Sequence, residues 1–128
     1  MPSDNAGRFM KALQDAENGH DPAGLVALFA AGAELGKAGA HGPATDAAAF
    51  WADYLSAFET IRSRFTLVVE EGDRVVLEWV SEGQLAGGGP ITYGGVSLVE
   101  WEGDTVRRFR TYYDTAAFVR PATPAGRA

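Results

Sequence analysis

Two short acidic turns, Glu71-Gly72-Asp73 and Glu102-Gly103-Asp104, cut the second half of this chain into long β-branched and apolar runs. A glycine flanked by such residues is a hairpin signal. The runs on either side read as strands: 64–70, 74–86, 91–101 and 105–115. Gly87-Gly88-Gly89-Pro90 separates the middle two and reads as a loop. Four strands joined by tight turns form an antiparallel sheet. One face of that sheet has to be covered by whatever the rest of the chain supplies.

The first half supplies helices. Asp4 stands as a cap before Phe9, Met10, Leu13 and Ala16, and Gly19 ends that helix. Asp21-Pro22 opens a second helix with Leu25, Val26, Leu28 and Phe29, which stops at Gly32. A short extended piece follows over 33–40, then the turn His41-Gly42-Pro43. Thr45 caps a third helix carrying Phe50, Trp51, Tyr54, Leu55, Phe58 and Ile61 at spacings of three and four. Helices first and strands after them make an α+β fold. Glycines 83, 87–89, 94 and 95 allow the sheet to bend strongly, so that helices and sheet enclose a cone.

The chain has 128 residues, the length of one domain, with a core expected over about 5–119 and a frayed tail at 120–128. A net charge of −6 argues against nucleic acid, which demands a basic stripe, and against anionic lipid. The absence of cysteine excludes disulfides, thiolate metal sites and cysteine nucleophiles. The start shows no basic region followed by an apolar run, and no stretch is long enough to span a membrane, so a cytoplasmic location is expected. His20 and His41 lack metal-ligand spacing, and no metal is expected.

Asp21-Pro22, Phe50-Trp51 and the closing Phe109-Arg110-Thr111-Tyr112-Tyr113-Asp114 resemble the NTF2-like superfamily, and within it the SnoaL-like proteins. These include polyketide cyclases, ketosteroid isomerases and limonene-epoxide hydrolase. The resemblance implies a conical α+β barrel with a deep pocket for a small hydrophobic molecule. It implies a homodimer through the outer sheet face, and no metal or organic cofactor. It also implies that Asp114 faces the pocket as the acid or base. Epoxide hydrolysis would need Arg-x-Asp on the long strand, where Val80 and Glu82 stand, which argues against that activity.

Strand alternation then sorts the remaining candidates. With Asp114 inside, Arg110 and Tyr112 go inside too, as do Glu78 and Glu82. Trp79, Phe109 and Tyr113 go outside as an apolar dimer face. Glu82 and His41 are the candidate partners of Asp114 in catalysis. Arg110 and Glu78 either bind substrate or form an ion pair. Tyr54, Tyr93 and Tyr112 either donate to a substrate oxygen or build the wall, together with Phe50 and Trp51. The alternative for Asp114 is a strand-end aspartate that caps the backbone.

A pocket of a few hundred cubic ångströms is expected, in the usual range for ligand sites. The leading reading is cofactor-independent acid–base catalysis on a carbonyl-bearing substrate: cyclisation, isomerisation or dehydration. A binding protein without chemistry and a structural dimerisation module are the alternatives.

Overall fold

A computed structural model describes residues 4–38 and 42–119. The order of elements is α1 (Asp4–Gly19), α2 (Ala23–Val26), β1 (Phe29–Lys37), α3 (Ala47–Ser56), β2 (Phe58–Glu71), β3 (Arg74–Leu85), β4 (Pro90–Glu102) and β5 (Thr105–Tyr113). A single 3₁₀ turn, Thr115–Phe118, follows. The expected α+β architecture is present: helices cover one face of a curved, unclosed five-stranded sheet. Strand order is β1-β5-β4-β3-β2. β2 to β5 form an antiparallel meander, and β1 joins β5 in parallel.

Three helix boundaries differ from the sequence expectation. The second helix ends at Val26, and Phe29 already begins β1. The third helix is capped by Asp46 rather than Thr45, its side chain accepting from the Ala49 amide at 3.0 Å. That helix ends at Ser56, and Phe58 and Ile61 belong to β2. Both residues remain buried, so their burial satisfies a strand as well as the helical spacing did. The expected tail at 120–128 lies outside the described residues.

The core is strongly aromatic. Phe9 of α1, Phe29 of β1, Trp51 of α3 and Phe109 of β5 meet with ring centroids 5.0–6.5 Å apart. A second cluster joins Phe58, Trp79, Tyr93, Tyr113 and Phe118. Together they fix which sheet face looks inward, and that face is the reverse of the expected one. Trp79, Phe109 and Tyr113 point toward the helices. Glu78, Glu82, Arg110 and Tyr112 lie on the outer face.

Alternation over 108–113 is regular, so the reversal comes from anchoring the faces on Asp114, and a bulge in β5 lies before that stretch. Glu100 pairs with Arg108 and Trp101 with Val106, so Arg107 is an extra residue and the alternation skips a beat. The two adjacent residues Arg107 and Arg108 both reach Glu100 on the outer face, at 3.0 and 3.5 Å. Arg110 reaches it at 3.5 Å. Burying the aromatic rows while leaving the arginines half in water is the cheaper arrangement. The apolar row expected to drive dimerisation therefore lines the interior. The large apolar residues left exposed among the described strands are Leu67, Val69 and Tyr112.

Candidate functional site

An internal cavity of about 130 Å³ lies between α1, α3 and the sheet. It is smaller than the few hundred cubic ångströms expected, because Phe58, Tyr93, Tyr113 and Phe118 fill one end. Its wall carries Phe50, Trp51, Tyr54 and Tyr93 from the sequence candidates. Trp79, Phe109 and Tyr113 from the inverted face complete the aromatic lining. Lys37 and Asp53 also line it; both are well exposed and 3.5 Å apart, so they mark the mouth.

Four of the predicted residues thus gather at the cavity, and five do not. Asp114 is exposed and accepts from the Ala116 amide at 3.0 Å, capping the 3₁₀ turn. It lies just past the end of β5, on a shallow outer surface with Glu78 and Tyr112. Its expected cavity-facing position is therefore corrected to the cap. The turn that it caps sets Phe118 against Tyr93, centroids 4.8 Å apart. Glu78 is exposed and accepts from the Thr66 hydroxyl at 2.8 Å. Glu82 is exposed on the outer face opposite Arg62. Arg110 belongs to the cluster on Glu100, and Tyr112 is half exposed. Expected inside, all five fall outside by the same inversion of face. His41 lies outside the described residues.

Besides the tyrosines, the polar groups of the wall include Ser63, Ser81, Ser97 and Thr111, none of them a candidate in the sequence reading. Behind Tyr54 and Ser63 stands Glu17, which does not itself line the cavity. Glu17, near the end of α1, is only 4% exposed. Its carboxylate accepts from the Tyr54 hydroxyl at 2.6 Å, the Ser63 amide at 2.8 Å and the Ser63 hydroxyl at 2.7 Å. Ser63 in turn contacts the Ser81 hydroxyl. Among the described residues no cation pairs with Glu17, so neutral donors alone compensate a buried charge. The missed signal was positional. Glu17 follows Leu13 by four and sits on the apolar stripe of α1. Ser63, Ser81 and Ser97 likewise occupy inward positions of their strands.

A second chain of hydroxyls crosses β4 and β5. The Trp79 indole N–H donates to Ser97 Oγ, and Ser97 donates to Thr111 Oγ1, both at 2.9 Å. Among the described residues the indole N–H of Trp51 has no acceptor. Among the described residues no group of three His, Cys, Asp or Glu is arranged to hold a metal.

Burial is the main cause that raises the Tyr54 phenol well above its ordinary 10.0, and the negative Glu17 adds to it. Tyr93 is raised too, first by burial, then by Tyr113 and Glu17. The sign of the linkage follows. Above about pH 10 the unfolded chain sheds these protons while the folded protein keeps them, so stability falls as pH rises. The expected limiting slope is about 1.4 kcal/mol per pH unit for each tyrosine. Urea midpoints taken from about pH 9 to about pH 11 should drop less steeply for Tyr93→Phe than for the wild type. Parallel pH profiles would show that Tyr93 does not contribute.

The SnoaL-like domain family matches residues 10–109. No curated protein sequence matches the chain. Solved structures of similar shape include an NTF2-like protein from Anabaena variabilis, with TM-score 0.80, 16% identity, 88% of this chain and 89% of that one covered. A protein with a ketosteroid isomerase-like fold from Catenulispora acidiphila, in complex with trimethylamine, gives TM-score 0.75, 20% identity and coverages of 91% and 90%. A structure from Jannaschia sp., assigned as a SnoaL-like polyketide cyclase, gives TM-score 0.74, 18% identity and coverages of 94% and 99%. Among the described residues no helix is long and apolar enough to cross a membrane. With a family match over most of its length and neighbours that share its helices-then-meander topology, this chain belongs to the SnoaL-like domain family.

Proposed function

We propose that the cavity takes up a small, mostly apolar, carbonyl-bearing molecule and that the Tyr54–Glu17 pair moves a proton to or from it. The observation that carries the uptake is an aromatic-walled cavity with a few convergent polar groups, the usual make-up of a ligand site. The Catenulispora neighbour holds a small molecule, which supports the same reading. A purely structural role has no use for an internal void, since a filled core is the more stable one.

Proton transfer rests on the short Tyr54–Glu17 contact. A ligand proton passing to Tyr54 Oη releases the phenolic proton to Glu17 Oε2. Tyr54 is left as it began, and Glu17 carries the proton. The relay serves an enolisation, the step shared by isomerisation, cyclisation and dehydration next to a carbonyl. It replaces the Asp114-centred scheme, since Asp114 caps the backbone away from the cavity.

The test uses small ketones. Binding should shift the indole N–H signals of Trp51 and Trp79, both in the cavity wall. Deuterium exchange at the carbon beside the ketone should be accelerated by the wild type. Glu17→Gln should lose that acceleration by about 10²-fold or more, the usual span for a general acid–base group. Binding without exchange leaves a binding protein and removes the catalytic half. No binding by any apolar probe removes both.

A further inference from the structure

The hydrogen-bond directions in this cavity are set by groups that have only one choice. A carboxylate can only accept, and an indole N–H can only donate. Glu17 therefore draws the protons of Tyr54 and Ser63 toward itself. Ser63, its proton committed, can only accept from Ser81. Tyr54 and Ser81 are left with lone pairs and no proton to offer, and both line the cavity.

On the other side the order is reversed. Trp79 donates to Ser97, and Ser97 passes its own proton to Thr111. Thr111 is the end of that chain. Its oxygen is used, and its proton has no acceptor recorded among the described residues. Thr111 also lines the cavity. The unpartnered N–H of Trp51 is a second donor in the same wall. Tyr93 approaches Tyr54, whose proton is committed to Glu17, so Tyr93 donates there and takes up one Tyr54 lone pair, while Tyr113 can act either way and sets no direction.

We infer that the cavity is polarised, with an acceptor pole at Tyr54 and Ser81 and a donor pole at Thr111, and that it selects a single-ring molecule bearing a hydroxyl at one end and a carbonyl at the other. The size follows from the volume. About 130 Å³ is close to the roughly 150 Å³ that holds one benzene ring. The spacing follows from the sheet. Ser81 is on β3 and Thr111 on β5, with β4 between them. Ser81 stands opposite Tyr93 and Thr111 opposite Ser97, four residues further along β4. Two strand spacings across and four residues along set the two backbones about 16 Å apart, and a ligand reaches both side chains only through substituents at opposite ends of its ring. Lys37 and Asp53 at the mouth are paired to each other, so the interior favours a neutral ligand.

This inference rests on the cavity being a ligand site and concerns binding alone. A ligand held this way puts its hydroxyl at Tyr54 and its ketone at the far pole, whereas the small ketones of the exchange test lack that hydroxyl and can turn the ketone toward Tyr54. The experiment separates the two. The probes are para-hydroxyacetophenone, para-methoxyacetophenone, acetophenone, para-ethylphenol and ethylbenzene, each titrated by chemical-shift change. Para-hydroxyacetophenone should bind tighter than its methoxy analogue, acetophenone and para-ethylphenol by about three- to tenfold each, the worth of one neutral hydrogen bond. Tyr54→Phe should remove the preference for the hydroxyl, and Thr111→Val the preference for the carbonyl. Glu17→Gln, whose amide can donate, should also weaken the hydroxyl preference. Should that variant fail to fold, Ser81→Ala and Tyr54→Phe carry the same test.

Binding of acetophenone and ethylbenzene as tight as that of para-hydroxyacetophenone, within about twofold, overturns the polarity and leaves the ligand site standing. Equal binding of the methoxy analogue does the same. No binding by any of the five, ethylbenzene included, overturns both.

Discussion

Replacing Glu17 by alanine is expected to lower the free energy of unfolding by about 3 kcal/mol, since each unsatisfied buried donor costs about 1–3 kcal/mol. The variant removes the common acceptor of three donors: the Tyr54 hydroxyl, the Ser63 hydroxyl and the Ser63 amide. None has another carboxylate to turn to at this buried position, and of the side-chain ties from α1 to Ser63 of β2 only that of Gln14 to its carbonyl remains. The loss of a buried charge works in the other direction and keeps the sum moderate. Glu17→Gln should fall between alanine and wild type. Its amide oxygen keeps one acceptor, but its NH₂ group faces donors. Urea denaturation of the three proteins measures this. A change below about 0.5 kcal/mol for Glu17→Ala would mean that water replaces the carboxylate without cost.

Gly83→Ala should be more damaging still, with a loss of about 4 kcal/mol or no folded protein at all. A Cβ there would run into the carbonyl oxygen of Thr60, with the Thr60 carbonyl carbon at 2.8 Å and Ile61 Cα at 2.9 Å. These are backbone atoms of the neighbouring strand, held by the β2–β3 ladder next to an irregularity between Phe58 and Thr60. They cannot swing aside as a side chain would, and close-packed interiors transmit the strain. Gly95 is similarly tight, against the indole of Trp79 at 2.6 Å and Tyr113 Cβ at 2.8 Å. Gly89→Ala is the control, because nothing lies within 4 Å of its Cβ position. It should change stability by about 0.5 kcal/mol or less. Thermal or urea unfolding of Gly83→Ala indistinguishable from that of Gly89→Ala would show that the ladder opens freely at this point.

Much of the architecture was legible because it rests on local chemistry. The two acidic turns and the glycine loop mark the meander, and the glycines at 83 and 95 sit where the sheet has no room for a side chain. The wall residues Phe50, Trp51, Tyr54 and Tyr93 were legible as large aromatics on inward positions. What was not legible is parity. Alternation over 108–113 tells which residues share a face but not which face looks inward, and a single anchor residue decides that. Placing Asp114 inside then carried Arg110, Tyr112, Glu78 and Glu82 with it. The hydrophobic content of the two rows was the better guide, since Trp79, Phe109 and Tyr113 outweigh a single carboxylate in the choice of face. Glu17 was invisible for a different reason. One acid on a helix stripe looks like a boundary residue until its partners arrive from β2 and α3, distant in the chain.

The parallel pairing of β1 with β5 gives the cavity a particular place in the assembly of the molecule. Strands β2 to β5 can zip up through tight local turns, whereas within the sheet β1 pairs with the final strand, its one other bridge among the described residues being Leu35 to Ala44. Joining them closes a loop over most of the chain, and that closure entropy is met late, by contacts that exist only once the N-terminal half docks. The void is bounded by α1 and α3 on one side and the meander on the other, so it does not exist before docking. A ligand therefore has nothing to bind in the bare meander. All of its linkage free energy, which grows with the logarithm of ligand concentration over Kd, falls on the docking step. Occupancy of the cavity acts as a clasp between the two halves of the chain.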